Sequence, residues 1–133
     1  MIEHPKAVEM DRKFQEIYAE VDQELERRHG KLFSLHPTRP RHNTTSNPQM
    51  DGLFNLGSSF SPGYGSEHGR GYVIDLKICT LETIPDEVRS IIWEETLGMI
   101  QEKMDLVFPE RNFVIKRDGN VFKILGDFSL GEI

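Results

Sequence analysis

The chain has 133 residues and a net charge of −6, with 37% hydrophobic and 29% charged residues. This composition suits a soluble globular protein that buries a core without disulfides or structural metals. The single cysteine, Cys79, excludes an internal disulfide, and no apolar run approaches the roughly 20 residues that span a bilayer. The N-terminus has no apolar secretory segment, so we expect an acidic, cytoplasmic protein.

A helix is predicted over residues 6–29. Apolar residues recur there every three or four positions among mostly charged neighbours: Met10, Phe14, Ile17, Val21 and Leu25. Pro5 suits the start of this helix, and Gly30 suits the position just past its end. The apolar stripe fits either docking onto the body of the domain or a two-stranded coiled coil, and two heptads favour docking.

Residues 30–71 differ in composition from the rest of the chain. They hold 7 of the 11 glycines and 4 of the 7 prolines, and their 4 basic and 2 acidic residues give a net charge of +2. The Pro, Asn and Thr content of residues 36–49 predicts a flexible loop. Apolar residues return over residues 53–60 and favour a short strand there, although Gly57 and the serines weaken it.

The clearest strand is predicted over residues 71–81. Two sets of side chains alternate along it: Tyr72, Ile74, Leu76 and Ile78 on one face, and Val73, Asp75, Lys77 and Cys79 on the other. This alternation is typical of a sheet with one buried face.

A long helix is predicted over residues 83–108, with Thr83 as its cap and Pro85 in its first turn. Its apolar residues form two stripes: Val88, Ile91, Ile92 and Met99, and Trp93, Leu97, Ile100 and Met104. So wide an apolar surface predicts two packing partners. Gly98, inside the helix, is predicted to mark a close crossing.

A hairpin is predicted at the end of the chain. Asp118-Gly119 lies between two alternating runs and favours a type I′ turn joining strands over residues 112–117 and 120–125. This register places four apolar side chains on one face: Phe113, Ile115, Phe122 and Ile124.

The order of these elements predicts one α+β domain over residues 1–133. It comprises the N-terminal amphipathic helix (6–29), the Gly/Pro-rich basic loop segment (30–71) and a β-α-β-β core (72–126). We expect a three- or four-stranded mixed or antiparallel sheet with both helices packed on one face. The strands flanking the second helix should be parallel, joined by a right-handed crossover.

Four glycines between residues 63 and 71 raise the possibility of a phosphate-binding loop. Their spacing departs from the Walker loop and from the dinucleotide fingerprint, and a strand rather than a helix follows them. A connection between strands whose glycines adopt positive φ explains the same composition. The neighbouring side chains nevertheless suit an anion, and the candidate ligands are Ser61, Tyr64, Ser66, His68 and Arg70, with Arg70 as the main charge.

Other chemistry has weaker support in the sequence. His36, His42 and His68 lack metal-ligand spacing, and Cys79 has no nucleophile motif around it. We therefore expect no catalytic residues, no metal and no cofactor.

Three functions stay open, from different classes. The first is a small non-catalytic interaction or assembly module that forms a homodimer or binds a protein partner. The second is an enzyme or sensor that binds a phosphorylated or other anionic small molecule at residues 58–71. The third, which the acidic net charge disfavours, is nucleic-acid binding through loop arginines and sheet lysines: Arg39, Arg41, Lys77, Lys116 and Lys123.

Overall fold

The computed structural model describes residues 5–63 and 68–128. The elements are α1 (Pro5–His29), a 3₁₀ turn (Pro48–Met50), β1 (Phe54–Ser61), β2 (Gly71–Ile78), α2 (Asp86–Val107), β3 (Val114–Asp118) and β4 (Val121–Leu125). The four strands form one antiparallel sheet in the order β1-β2-β4-β3. The predicted α+β fold with its two helices is confirmed. No helix within the two described ranges combines the length and apolar character needed to cross a bilayer.

The sheet order leaves part of β2 without a second neighbour. β2 and β3 run in the same direction, as predicted for strands joined by α2, but β4 lies between them. β1 pairs with β2 along its whole length, from Gly71 to Ile78, whereas β4 pairs only with Tyr72, Val73 and Ile74. Among the described residues, the end of β2 from residue 75 to residue 78 therefore has one strand neighbour.

Helix α1 supplies much of the core. Its apolar stripe is buried, as docking onto the domain requires: Met10, Phe14, Ile17, Tyr18, Val21 and Leu25. Side chains of this size each contribute about 1.5–3 kcal/mol when fully buried. The stripe meets the sheet face that carries Leu56, Ile74 and Ile124.

Helix α2 packs beside α1 in the opposite direction. Arg28 Nη1 near the end of α1 lies 3.1 Å from Oε1 of Glu95, in the first half of α2. Glu20 Oε2 lies 2.8 Å from Nζ of Lys103, further along α2. The predicted cap was wrong: Pro85 occupies the N-cap position of α2, and no side chain accepts a hydrogen bond there.

Both predicted apolar stripes of α2 pack against the core, with the exception of Ile91. The buried residues of α2 are Ile92, Thr96, Ile100 and Met104, and half-buried against the core are Val88, Trp93, Leu97 and Met99. Thr96 is accommodated because its hydroxyl donates to the Ile92 carbonyl at 2.7 Å. Ile91 is 55% exposed. A Cβ on Gly98 would meet no atom within 4 Å, so Gly98 does not mark a close crossing.

The β3–β4 hairpin turns one residue later than predicted. Its turn residues are Gly119 and Asn120, since Asp118 pairs with Val121. This change moves each cross-strand partner by two positions, so every side chain keeps its face. Of the two turn residues, Gly119 alone has positive φ (64°), whereas the predicted type I′ turn needs it at both. The predicted apolar face holds, with Phe113 and Ile124 buried and Ile115 and Phe122 half-buried.

Replacing Gly119 with Val should lower the free energy of unfolding by about 1–2 kcal/mol, the cost of a left-handed conformation for a residue with a Cβ. A Cβ at Gly119 meets no atom within 4 Å, so the cost is conformational rather than steric. Urea unfolding measures it. Gly98→Ala is the control, since alanine in the exposed part of a helix should stabilise by about 1 kcal/mol. A Gly119→Val protein as stable as the wild type would contradict the assigned turn.

Candidate functional site

A groove of about 750 Å³ lies beside the unpaired end of β2; we call it the β2 groove. Residues from the loop after α1, the 3₁₀ turn, β2 and the start of α2 line it: His36, Thr38, Arg39, Pro40, Thr45, Met50, Leu76, Lys77, Ile78, Cys79, Thr80 and Arg89. The lining includes three Lys or Arg residues and one His, and none of the described residues that form it is acidic. Its volume falls in the range of about 300–1,000 Å³ common for ligand sites.

The basic side chains of the β2 groove differ in whether they can contact a ligand. The Arg39 guanidinium donates to the carbonyls of Asp51 (3.0 Å), Gly52 (3.0 Å) and Phe54 (3.2 Å), so it holds the groove wall in place. Lys77 is exposed and lies 4.0 Å from Asp75, an exposed pair of the kind worth at most about 1 kcal/mol.

Arg89 is a second accessible cation of the β2 groove. It lies in the first turn of α2, its side chain is exposed, and it makes no ion pair with any residue that the structure describes. Arg89 and Lys77 are therefore free to meet an anionic group that enters the β2 groove.

The wall of the groove is the loop over residues 36–53, which we call the 36–53 loop. It is anchored by polar contacts that its composition did not indicate. The His36 N–H donates to the Cys79 carbonyl at 2.8 Å. The Asp51 carboxylate accepts from the Thr45 N–H at 2.9 Å and from its hydroxyl at 2.7 Å. Burial alone would raise the pKa of Asp51, but the hydrogen bonds outweigh it and the pKa is lowered.

Two acidic side chains of α1 lie buried against this loop. Glu26 accepts a hydrogen bond from the Phe54 N–H at 2.9 Å. Asp22 is 1% exposed, and no side chain of the described residues donates a hydrogen bond to its carboxylate. Burial, and then the neighbouring Glu26, raises the pKa of Asp22 to about 8, and burial also raises the pKa of Glu26. A pKa raised this far favours the protonated form of Asp22 at neutral pH.

The burial of these two acids was not predicted from the sequence. Tyr18, Asp22 and Glu26 follow one another at four-residue spacing, so they lie along one line of the helix beside the buried stripe. That spacing places both acids at the edge of the buried stripe, but their burial depends on the loop that packs against them.

The described residues near the loop do not form a metal centre or an activated thiol. Within the ranges 5–63 and 68–128, no three His, Cys, Asp or Glu side chains are placed to hold a metal ion. His42 Nδ1 lies 3.8 Å from the Asp51 carboxylate, beyond hydrogen-bonding distance. Burial raises the pKa of the Cys79 thiol, which disfavours the reactive thiolate.

The predicted anion ligands of residues 58–71, which we call the glycine-rich segment, are only partly described by the structure. Tyr64 and Ser66 lie outside the described residues. Ser61 accepts from the Gly63 N–H at 3.3 Å, and His68 contacts β3 through its imidazole, 3.1 Å from the Arg117 carbonyl.

Arg70 is exposed and makes no ion pair within the described part of the chain. Arg70 therefore keeps the accessibility that an anion site needs, while Ser61 and His68 make hydrogen-bonding contacts to other parts of the chain. Anion binding at residues 58–71 stays a prediction.

The glycine-rich segment is instead held to the sheet by a buried ion pair. Lys123 is 2% exposed, and its Nζ lies 2.9 Å from the Asp118 carboxylate and 2.8 Å from the Gly69 carbonyl. Asp118 also accepts from the His68 N–H at 3.2 Å. A Cβ on Gly63, whose φ is +88°, would overlap the backbone of Gly69. Close approach of the two arms of this connection thus accounts for Gly63, whereas Gly69 has a positive φ of +79° and no atom within 4 Å of an added Cβ.

The same contacts weaken the nucleic-acid hypothesis. Arg39 is bound by three carbonyls, and Lys123 is buried, so two of the five cations assigned to that surface are unavailable. Lys77 and Lys116 stay exposed on the outer face of the sheet, the face opposite the helices.

Comparison with known proteins places the chain in a family. A family model described as "Uncharacterised protein" matches residues 5–126. A protein of Borreliella burgdorferi described as "Uncharacterized protein" is 39% identical over 112 residues, which cover 84% of this chain and 88% of that relative. No solved structure matches the chain significantly. The chain therefore belongs to this family of uncharacterised proteins, whose model spans both helices and all four strands.

Proposed function

We propose that this protein is a small non-catalytic interaction module that binds an acidic segment of a partner protein in the β2 groove. The observation that carries the proposal is the charge of the groove: its lining is basic and free of described acids, although the chain as a whole has a net charge of −6. Complementary charge of this kind steers partners and suppresses wrong ones.

The apolar part of the groove narrows the class of ligand. Leu76 and Ile78 line its floor, and Met50 at its edge is 58% exposed. A small phosphate compound would make no apolar contacts with these side chains. A peptide with both acidic and apolar residues would contact the apolar floor and the cations together. No aromatic residue belongs to the described lining, so the stacking platform typical of single-stranded nucleic-acid sites is missing there.

Self-association, which the sequence predicts, would use a different surface. Two copies joined through the β2 groove would bring Lys77 and Arg89 of one copy near those of the other. Val114 and Val121, 42% and 38% exposed on the outer sheet face, support a contact between copies that leaves the groove open.

The proposal is tested with a labelled heptapeptide of alternating valine and glutamate, blocked at both ends. We expect saturable binding with a Kd below about 1 mM, equivalent to about −4 kcal/mol. Amide NMR signals of residues 76–80 and of Arg89 should shift on titration, and the same peptide with lysine in place of glutamate should not bind.

Charge reversal locates the binding. Arg89→Glu should weaken binding of the glutamate peptide at least about tenfold, which corresponds to about 1.4 kcal/mol. Lys116→Glu is the matched control, since Lys116 is exposed on the outer sheet face away from the groove. Absence of binding at about 1 mM peptide, or an equal loss in both variants, would overturn the proposal.

A further inference from the structure

We infer that the partner segment binds as an added β-strand along the open edge of β2, over residues 75–78. This inference rests on the proposed function and specifies the form of the partner: an extended segment in which acidic and apolar side chains alternate. Strand addition is a recurring mode of peptide recognition, in which main-chain hydrogen bonds supply affinity and alternate side chains supply specificity.

The first support is the position where strand pairing stops. The last partner pair between β2 and β4 is Ile74 with Phe122, whereas the pairing with β1 continues to Ile78. The chain of β4 instead enters the tight turn at Gly119 and Asn120. A further strand in line with β4 would therefore lie beside the end of β2, about 4.8 Å from it.

The second support is the direction of the backbone groups. The Cys79 N–H donates to the Leu53 carbonyl at 2.6 Å, so Cys79 directs its amide towards the β1 side. The direction of the backbone N–H and carbonyl groups alternates along an antiparallel strand. The backbone groups of Lys77 therefore also point towards β1, while those of Leu76 and Ile78 point towards the open side. The Ile78 carbonyl is taken by the Thr80 N–H at 3.0 Å. The edge thus offers three groups to a new strand: the N–H and carbonyl of Leu76 and the N–H of Ile78.

The third support is the match between this edge and the groove. Leu76 and Ile78 point to the helix-covered face, and Lys77 points to the outer face. A strand added here would place every second side chain beside Leu76 and Ile78, and the others beside Lys77. Apolar residues suit the first set and acidic residues the second. Acidic residues at the ends of the segment would reach Arg89.

Hydrogen exchange of the complex with the valine–glutamate peptide tests the inference. The Leu76 and Ile78 amides should exchange at least about tenfold more slowly in the complex than in the free protein. This holds under conditions where an amide exchanges only after the bound state has opened. The Lys77 amide is the internal control, because it already bonds to β1 and should change little. Slower exchange at Lys77 alone, or no change at Leu76 and Ile78, would overturn strand addition.

N-methylated peptides give a second measurement that requires no variant protein. One version carries N-methyl groups on its odd residues and the other on its even residues, and only one of these sets of amides faces β2 in an added strand. One version should lose at least about tenfold in affinity, or about 1.4 kcal/mol, while the other keeps its affinity.

The outcomes separate the two proposals. If both methylated versions bind as well as the parent peptide, strand addition is wrong and the groove proposal stands. If the parent peptide does not bind, the groove proposal itself is wrong. A protein that is already dimeric with slowly exchanging Leu76 and Ile78 amides would mean that a second copy occupies the edge, which contradicts the inference.

Discussion

Replacing Asp22 with Asn should raise the free energy of unfolding at pH 7 by about 2–4 kcal/mol. Asp22 is buried without a side-chain hydrogen-bond partner among the described residues, and burial raises its pKa in the folded protein to about 8. At pH 7 the folded protein must therefore take up a proton that the unfolded chain has released. Asparagine has nearly the same shape and is always neutral, so the variant does not bear this cost.

The same shift makes the stability of the wild type depend on pH. The folded pKa of Asp22 lies above the ordinary value of 3.8, so between these values the folded state binds more protons than the unfolded state. The free energy of unfolding should then fall by up to about 1.4 kcal/mol per pH unit as the pH rises from about 4 to about 8. The raised pKa of Glu26 acts in the same direction.

Asp51 has the opposite effect on the free energy of unfolding at acidic pH. Its folded pKa is lowered, so the stability that it contributes is present above its unfolded pKa and is lost as the pH falls through its folded pKa. We therefore expect maximum stability near pH 4–5, at the lower edge of the usual range.

Urea unfolding of the wild type and Asp22→Asn between pH 5 and pH 9 measures both effects. The variant should show a flatter pH profile. Glu16→Gln is the control on the same helix, because Glu16 is exposed and its ion pair with Arg12 is of the kind worth at most about 1 kcal/mol. A wild type whose stability is constant from pH 5 to pH 8, or an Asp22→Asn protein less stable at pH 7, would show that Asp22 is ionised in the fold.

Asp118→Ala should lower the free energy of unfolding by about 3–5 kcal/mol, the usual cost of leaving one charge of a buried pair without its partner. The charge left behind is the Lys123 ammonium, which is 2% exposed. The variant also removes the carboxylate that accepts from the His68 N–H, so the glycine-rich segment loses a contact with the sheet.

Thermal and urea unfolding measure this effect, with Asp75→Ala as the matched control. Asp75 and Lys77 form the same type of pair on the outer sheet face, but both are exposed and 4.0 Å apart, so the control should cost at most about 1 kcal/mol. Adding Lys123→Met to Asp118→Ala should restore much of the stability, because the unpaired charge is removed. Equal losses for Asp118→Ala and Asp75→Ala would contradict the burial of the pair.

Residue periodicity, together with the Pro and Gly residues between the periodic runs, determined the helices and strands of this protein. The three- and four-residue spacing in α1 and the alternation in β2 report directly which side of an element is buried. The β3–β4 turn was predicted one residue too early, but the buried face of the hairpin was still predicted correctly. Moving each cross-strand partner by two positions leaves Ile115 and Phe122 on the same face. The N-cap of α2 was predicted at Thr83 because threonine is a common N-cap residue. In the structure Pro85 occupies the N-cap position instead.

Only the tertiary structure decided the order of the strands and the environment of the charged groups. The insertion of β4 between β2 and β3 creates the open edge at residues 75–78, and no local pattern specifies that insertion. Lys123 looks in the sequence like any exposed strand lysine, and its burial depends on Gly69, 54 residues away. Asp22 likewise has helix neighbours of ordinary composition. Burial raises the pKa of Asp22, and Asp22 is buried because the 36–53 loop packs against α1.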